Sequence, residues 1–136
     1  MRTFARVVSQ CVFHMHVHLV FVTKYRHSAF TGRHLTRCEE TMRAVRQDFE
    51  AELVAFNGET NHAHLLVNVP PKAAVSRLVN SLKGVSSRRL RQEFPDLVRH
   101  YRRAQRLWSG SYSAGSVGGV PLSIVKQNIE QQNRPL

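Results

Sequence analysis

The chain has 136 residues, 42% hydrophobic and 21% charged, so it is long enough to bury a core, and we expect one folded domain over residues 1–136. Its 20 Lys and Arg against 9 Asp and Glu give a net charge of +11, which indicates a polyanionic partner such as nucleic acid. Neither a bilayer-spanning apolar run nor a signal peptide is evident, so we expect a cytoplasmic protein with no membrane partner.

The first element in chain order is an apolar strand over residues 12–22, with hydrophobic side chains at alternate positions. Its other face carries His14, His16 and His18, because alternate residues of a strand share a face. These three imidazoles either form a metal cluster or are polar residues on the far side of a half-buried strand. Histidines at such positions are more often polar residues of a half-buried strand than metal ligands.

A basic turn with one aromatic residue, Lys24-Tyr25-Arg26, follows this strand. Thr31 is a plausible N-cap for a helix whose apolar residues recur every three or four positions as far as Phe49. We then expect a short strand over residues 52–56 and a turn at Asn57-Gly58.

The second strong strand, His62 to Val69, holds the sharpest local feature of the sequence. His62 and His64 are two residues apart, so both imidazoles lie on one face and can offer two ligands to one divalent ion. A His-x-His pair is weak evidence by itself, because a chain with 8 histidines contains such pairs by chance.

A longer helix begins near Val75 and carries a basic face opposite its apolar one. This face is either a solvated surface or a phosphate-binding one, since serine hydroxyls and Arg forks both suit phosphate oxygens. The candidate phosphate contacts are Arg77, Ser86, Ser87, Arg88 and Arg91.

The rest of the chain is predicted as a basic loop over residues 99–106, a strand over residues 107–117 and a turn at Gly118-Gly119. Pro121 fits the first position of a closing helix. The order strand, helix, strand, strand, helix, strand, helix is a split βαβ pattern with one added helix.

Four segments form a combined pattern: His18 to Phe21 with Lys24-Tyr25-Arg26, Asn61 to Leu66, Leu82 to Arg91 with Lys83 among its basic residues, and Leu107-Trp108 through Val117-Gly118-Gly119. Taken together and in this order, they resemble segments of a known family, the small TnpA-type transposases of insertion sequences, which belong to the HUH nucleases.

The resemblance implies an α+β, ferredoxin-like fold: an antiparallel sheet with helices on one face, plus a C-terminal helix. It also implies a homodimer that recognises hairpins in single-stranded DNA. In this family two histidines and a glutamine hold Mg²⁺ or Mn²⁺, which assigns those roles to His62, His64 and Gln132. A tyrosine on the last helix attacks the scissile phosphate and leaves a 5′-phosphotyrosyl link.

The chain departs from the family at this tyrosine, because Asn128 occupies its position. A carboxamide cannot replace a phenolate as nucleophile. Gln132 lies four residues on, so the third metal ligand can persist. Tyr25, Tyr101 and Tyr112 fall elsewhere in the pattern, and Glu59 leaves an extra carboxylate near the metal open.

The leading hypothesis is therefore a transposase-fold DNA-binding protein that is defective in strand cleavage. A non-catalytic regulator retained for binding DNA is the alternative from another class. An RNA-binding protein ranks last, because the central strands lack the paired aromatic residues that stack bases.

Overall fold

The computed structural model describes residues 15–70, 74–101, 107–117 and 121–136. Within these residues four strands form one antiparallel sheet in the order β2-β3-β1-β4. The strands are β1 Met15–Thr23, β2 Glu52–Glu59, β3 His62–Val69 and β4 Trp108–Ser116. This is the strand order of the ferredoxin-like fold, so the predicted fold class is confirmed.

The helices follow the predicted order, with one short addition. They are α1 Gly32–Val45, α2 Val75–Glu93, α3 Pro95–Tyr101 and α4 Leu122–Glu130, with short 3₁₀ segments at Lys24–Arg26 and Arg46–Phe49. Thr31 is the N-cap of α1, as predicted, and Pro121 occupies the cap position of α4.

The main core lies between one face of the sheet and the helices α1 and α2. Val17, Leu19 and Phe21 point to this face from β1, as their alternation predicted. They pack with buried residues of both helices, including Leu35, Cys38, Met42, Leu78 and Leu82. Each large apolar side chain buried here contributes about 1.5–3 kcal/mol relative to exposure.

The opposite face of the sheet is covered by α4, which packs on β2 and β3. A second, smaller apolar cluster holds it there, made of Ala55, Leu66 and Ile129 with Val117 and Val125 beside them. The last helix therefore lies on the face of the sheet away from α1 and α2.

The predicted turn at Asn57-Gly58 is wrong, because both residues lie inside β2 and the hairpin turns at Thr60 and Asn61. Gly58 serves close packing instead. A Cβ there would lie 2.5 Å from the main-chain oxygen of His62 and 2.9 Å from Leu35 Cδ2.

The predicted basic loop is wrong at its start, because residues 99–101 continue α3. Pro95 suits the first turn of a helix, Asp96 complements its dipole, and Leu97 is fully buried against the core. Other expectations fall outside the described residues: the start of the first strand with His14, the rest of the basic loop, and the turn at Gly118-Gly119.

Candidate functional site

Two histidines of β3 point to the face of the sheet that α4 covers. Their neighbours Ala63 and Leu65 are fully buried on the core side, so the period of the strand places His62 and His64 together, as predicted. The two ring centroids are 4.9 Å apart.

A third histidine joins them from β1, which lies next to β3 in the sheet. His18 Nε2 lies 3.0 Å from His64 Nδ1, and the ring centroids are 5.2 Å apart. The histidine face of the first strand and the His-x-His pair, weighed separately in the sequence, therefore contribute to one cluster, the histidine cluster of His18, His62 and His64.

Burial disfavours the charged forms of two members of the histidine cluster, His64 and His18. The pKa of His64 is lowered to about 4, first by burial and then by repulsion from His62 and His18 in their charged forms. Burial also lowers the pKa of His18. His64 is thus neutral at pH 7, which is the form of imidazole that binds metal ions.

His62 has polar neighbours on both sides of its ring. Its Nδ1 lies 2.9 Å from Asn61 Oδ1, an arrangement in which Nδ1–H donates and, in the neutral ring, the lone pair is on Nε2. Glu59 Oε2 is 3.9 Å from that Nε2. Glu59, just before the histidines in the sequence, therefore places a carboxylate close to His62.

The side chains fit a divalent ion only in part. No group of three or more His, Cys, Asp or Glu among the described residues is arranged to hold a metal. A complete site around His62 and His64 would thus need a ligand of another type, and Gln132 is the candidate for it.

The end of α4 lies beside the histidine cluster. Asn57 is the cross-strand partner of His64, and its side-chain amide donates to the main-chain oxygens of Glu130 and Gln132, at 3.1 and 3.3 Å. Gln132 lies two residues after Glu130, the last helical residue, and donates from Nε2 to the main-chain oxygen of Asn128, at 3.4 Å. Asn128 itself is exposed.

The basic turn lies at the same end of the sheet. Thr23, the last residue of β1, donates its main-chain N–H to the oxygen of Asn61, one residue before His62. Tyr25 and Arg26 both adopt positive φ, 62° and 54°, and Tyr25 is 70% exposed. Lys24 donates its main-chain N–H to the oxygen of Leu107, so the start of β4 meets this end as well.

The basic face of α2 borders a cleft of about 480 Å³ between this helix and the start of β4. Lys83 Nζ donates to the main-chain oxygen of Ser109 at 2.6 Å and lies 5.7 Å from the ring centroid of Tyr112. Arg88 lines the cleft. The side chains of Arg88 and Arg77 are exposed, whereas that of Arg91 is half-buried.

The prediction that Ser86 contacts phosphate is wrong, because this side chain is fully buried. Its hydroxyl donates to the oxygen of Leu82 and accepts the indole N–H of Trp108 at 2.9 Å. Ser87 lines the cleft but is only 8% exposed, and its hydroxyl accepts the main-chain N–H of Leu107 at 3.0 Å. Both serines anchor β4 to α2.

Comparison with known proteins identifies the family. The family model described as IS200-like transposase matches residues 11–132, nearly the whole chain. The chain belongs to the IS200-like transposases. The transposase for insertion sequence element IS200 of Salmonella typhimurium is 33% identical over 117 residues, 84% of this chain and 76% of that protein.

The ISDra2 transposase TnpA of Deinococcus radiodurans is 27% identical to this IS200-like transposase over 122 residues, 90% of this chain and 86% of the relative. A crystal structure of a D. radiodurans protein assigned as a transposase superposes with a TM-score of 0.72 at 29% identity, covering 92% of this chain and 95% of that one.

A REP-associated tyrosine transposase bound to a REP hairpin shares the fold of this IS200-like transposase, with a TM-score of 0.57 at 11% identity. That match covers 85% of this chain and 62% of the other. Within the described residues no helix is long and apolar enough to cross a membrane.

Proposed function

We propose that this IS200-like transposase binds hairpins in single-stranded DNA as a homodimer and holds Mg²⁺ or Mn²⁺ at His62, His64 and Gln132, but cannot form a covalent link to DNA. The position of Asn128 beside Gln132, at the end of the helix that lies over the histidine cluster, is the observation that carries the proposal.

DNA binding is supported by the charge and shape of one end of the sheet. The basic turn Lys24–Arg26, the histidines at the start of β3 and the cleft at the start of β4 meet there. Exposed Tyr25 can stack on an unpaired base, which single strands and hairpin ends offer and duplexes do not. Lys24, Arg26 and Arg88 supply charges for the phosphates.

The proposed metal site uses neutral imidazoles, whose Nε2 atoms bind divalent ions, with Gln132 as a carbonyl donor. An ion bound there would polarise the scissile phosphate and offset the negative charge that attack places on its oxygens. Asn57 holds the end of α4 next to His64, which supports a site completed by Gln132 of the same chain rather than of a partner.

The helix whose end lies beside the histidine cluster, α4, carries no tyrosine. Asn128 has a neutral amide whose nitrogen lone pair is delocalised. Tyr112 packs edge-on against Phe21, on the core side of the sheet, and so lies away from the histidine cluster. Tyr101 is the last residue of α3, not part of the helix that covers the histidines.

A homodimer is supported by apolar side chains that α4 leaves uncovered. Leu122 and Ile124 are 37% and 44% exposed, although the same helix buries Ile129. A second copy that covers this part of α4 would bury them. Sedimentation equilibrium of the metal-free chain measures whether it is a dimer.

A retained regulator without catalysis is the second candidate, and Asn128 favours it. Such a protein would keep the DNA-binding surface and compete for hairpin ends. It would need neither the metal site nor a nucleophile. The two candidates therefore differ in whether Asn128→Tyr restores covalent attachment to DNA.

The decisive experiment incubates the parent and Asn128→Tyr proteins with labelled hairpin DNA and Mg²⁺, followed by denaturing gels. We expect no covalent adduct from the parent and an adduct from the Tyr variant, because a phenol at 128 would extend from the helix end beside Gln132. Asn128→Phe, which has the same ring without the hydroxyl, is the matched control.

An adduct formed by the parent would overturn the proposal and direct attention to Tyr101. No adduct from Asn128→Tyr, in a protein that still binds the hairpin, would favour the non-catalytic regulator.

A further inference from the structure

The contact between His18 and His64 connects two neighbouring strands across the site. Because β1 pairs with β3 so that Val20 is opposite His64, the two imidazoles form a diagonal pair on one face. Their nearest nitrogens are 3.0 Å apart, a hydrogen-bond distance. When both rings are neutral, one of them must donate and the other accept.

The choice of donor decides what His64 can bind. If His64 donates from Nδ1, its Nε2 carries a lone pair and can ligate a metal ion. If His18 donates from Nε2, the proton of His64 lies on Nε2, and that atom cannot ligate. The hydrogen bond of one ring nitrogen thus fixes the role of the other.

His62 shows the same arrangement with a different partner. The amide oxygen of Asn61, 2.9 Å from His62 Nδ1, can only accept. In the neutral ring of His62, the proton is therefore on Nδ1 and the Nε2 lone pair is open. Each histidine of the pair has a polar atom beside Nδ1: Asn61 Oδ1 in one case and His18 Nε2 in the other.

We infer that His18 is a positioning residue for the metal site: its Nε2 accepts the Nδ1–H of His64 and so holds the Nε2 lone pair of His64 ready for the ion. This inference rests on the metal site of the proposed function. His18 does not touch the ion, and the sequence alone placed it only among three histidines of the first strand.

The first test needs no metal. Long-range proton–nitrogen NMR of the metal-free protein labelled with ¹⁵N-histidine, at neutral pH, reports which ring nitrogen of His64 carries the proton. His64→Gln identifies the signal by its loss. We expect the proton on Nδ1, and a proton on Nε2 would overturn the inference.

The second test compares two substitutions of His18 by calorimetric titration with Mn²⁺. His18→Phe keeps a ring of similar size but removes the acceptor, and should weaken Mn²⁺ binding about 10–100-fold, the usual effect of losing an outer partner of a metal-bound histidine. His18→Gln keeps an acceptor oxygen and should restore most of the affinity. His16→Phe, on the same face of β1, is the matched control and should bind like the parent.

Parent-like Mn²⁺ binding by His18→Phe, or equal losses in His18→Phe and His18→Gln, would overturn the inference while leaving the metal site intact. A parent that binds no Mn²⁺ would overturn the metal site, and the inference with it. If His18→Phe does not fold, the NMR result on the parent decides alone.

Discussion

The side-chain amide of Asn57, in the interior of β2, donates to the main-chain oxygen of Glu130, the last residue of α4, at 3.1 Å. The same NH₂ group reaches the oxygen of Gln132 at 3.3 Å. Its carbonyl oxygen accepts the main-chain N–H of Gly58 at 2.9 Å. This buried side chain therefore determines where the end of α4 lies relative to His64.

Asn57→Ala should destabilise the protein by about 1–3 kcal/mol, because it leaves main-chain oxygens of a helix end without their donor. Urea unfolding measures this loss. Asn133 is an exposed asparagine after the end of α4, and Asn133→Ala should change stability by less than about 0.5 kcal/mol. Equal effects of the two substitutions would mean that Asn57 does not anchor α4.

The metal site predicts a specific titration. His62→Ala combined with His64→Ala should abolish the heat of Mn²⁺ binding, and Gln132→Ala should weaken it by about tenfold or more, since an outer-shell partner alone contributes 10–100-fold. His27→Ala, in the exposed segment after the basic turn, is the control. A double variant that binds Mn²⁺ like the parent would place the ion elsewhere, with His14, His16 and His18 the next candidates.

DNA binding should favour hairpins in single strands over blunt duplex and weaken as salt rises, because phosphate contacts release counterions. Lys24→Gln and Arg88→Gln should each lower affinity and reduce the dependence of log K on log salt by about 0.7–0.9. Arg89→Gln is the control, since Arg89 follows Arg88 on α2 but does not line the cleft. Gel shifts at several salt concentrations decide this, and equal affinity for duplex and hairpin would count against the proposal.

The partial burial of His64 predicts how stability depends on pH. Its pKa in the folded protein is about 4, below the ordinary value of 6.5, so the unfolded chain binds the proton first as pH falls. The free energy of unfolding should be constant above pH 7 and decrease between about pH 6.5 and 4. Because the ring is partly exposed, the loss should be on the order of 1–2 kcal/mol.

Urea unfolding at pH 7.5, 5.5 and 4.5 measures this dependence. His64→Gln removes the titrating group and should flatten the profile over the same interval, although repulsion within a chain of charge +11 remains in both proteins. Parallel profiles for the parent and the variant would show that His64 does not contribute.

Alternation and helical periodicity predicted the sheet, its partner helices and the shared face of His62 and His64, because these patterns follow directly from burial on one side. The Asn57-Gly58 turn failed for a physical reason. This dipeptide is favoured where φ is positive, yet the described hairpin has no positive φ at its turn, and Gly58 is needed for the approach of Leu35.

The partners of the site residues required the fold itself. The predicted ferredoxin-like order already places β1 beside β3. Periodicity does not give the register of the two strands, so the diagonal contact of His18 with His64 was not predictable from it. Ser86 looked like a phosphate contact because it is surrounded by arginines along the chain. Its place on the inner side of α2, against Trp108, depends on where β4 lies.

The strand order also has a consequence for how the chain folds during synthesis. β1 is synthesised first among the described strands, yet it lies between β3 and β4 in the sheet. Both of its edges therefore stay unpaired until these later strands are made. At about 5–20 residues per second, the roughly 90 residues from Thr23 to Ser116 take about 5–20 s to make. Until β4 is made, Val17, Leu19 and Phe21 belong to an apolar strand with at least one open edge, which is the kind of segment that aggregates. The nascent chain is therefore most in need of a chaperone before β4 is complete.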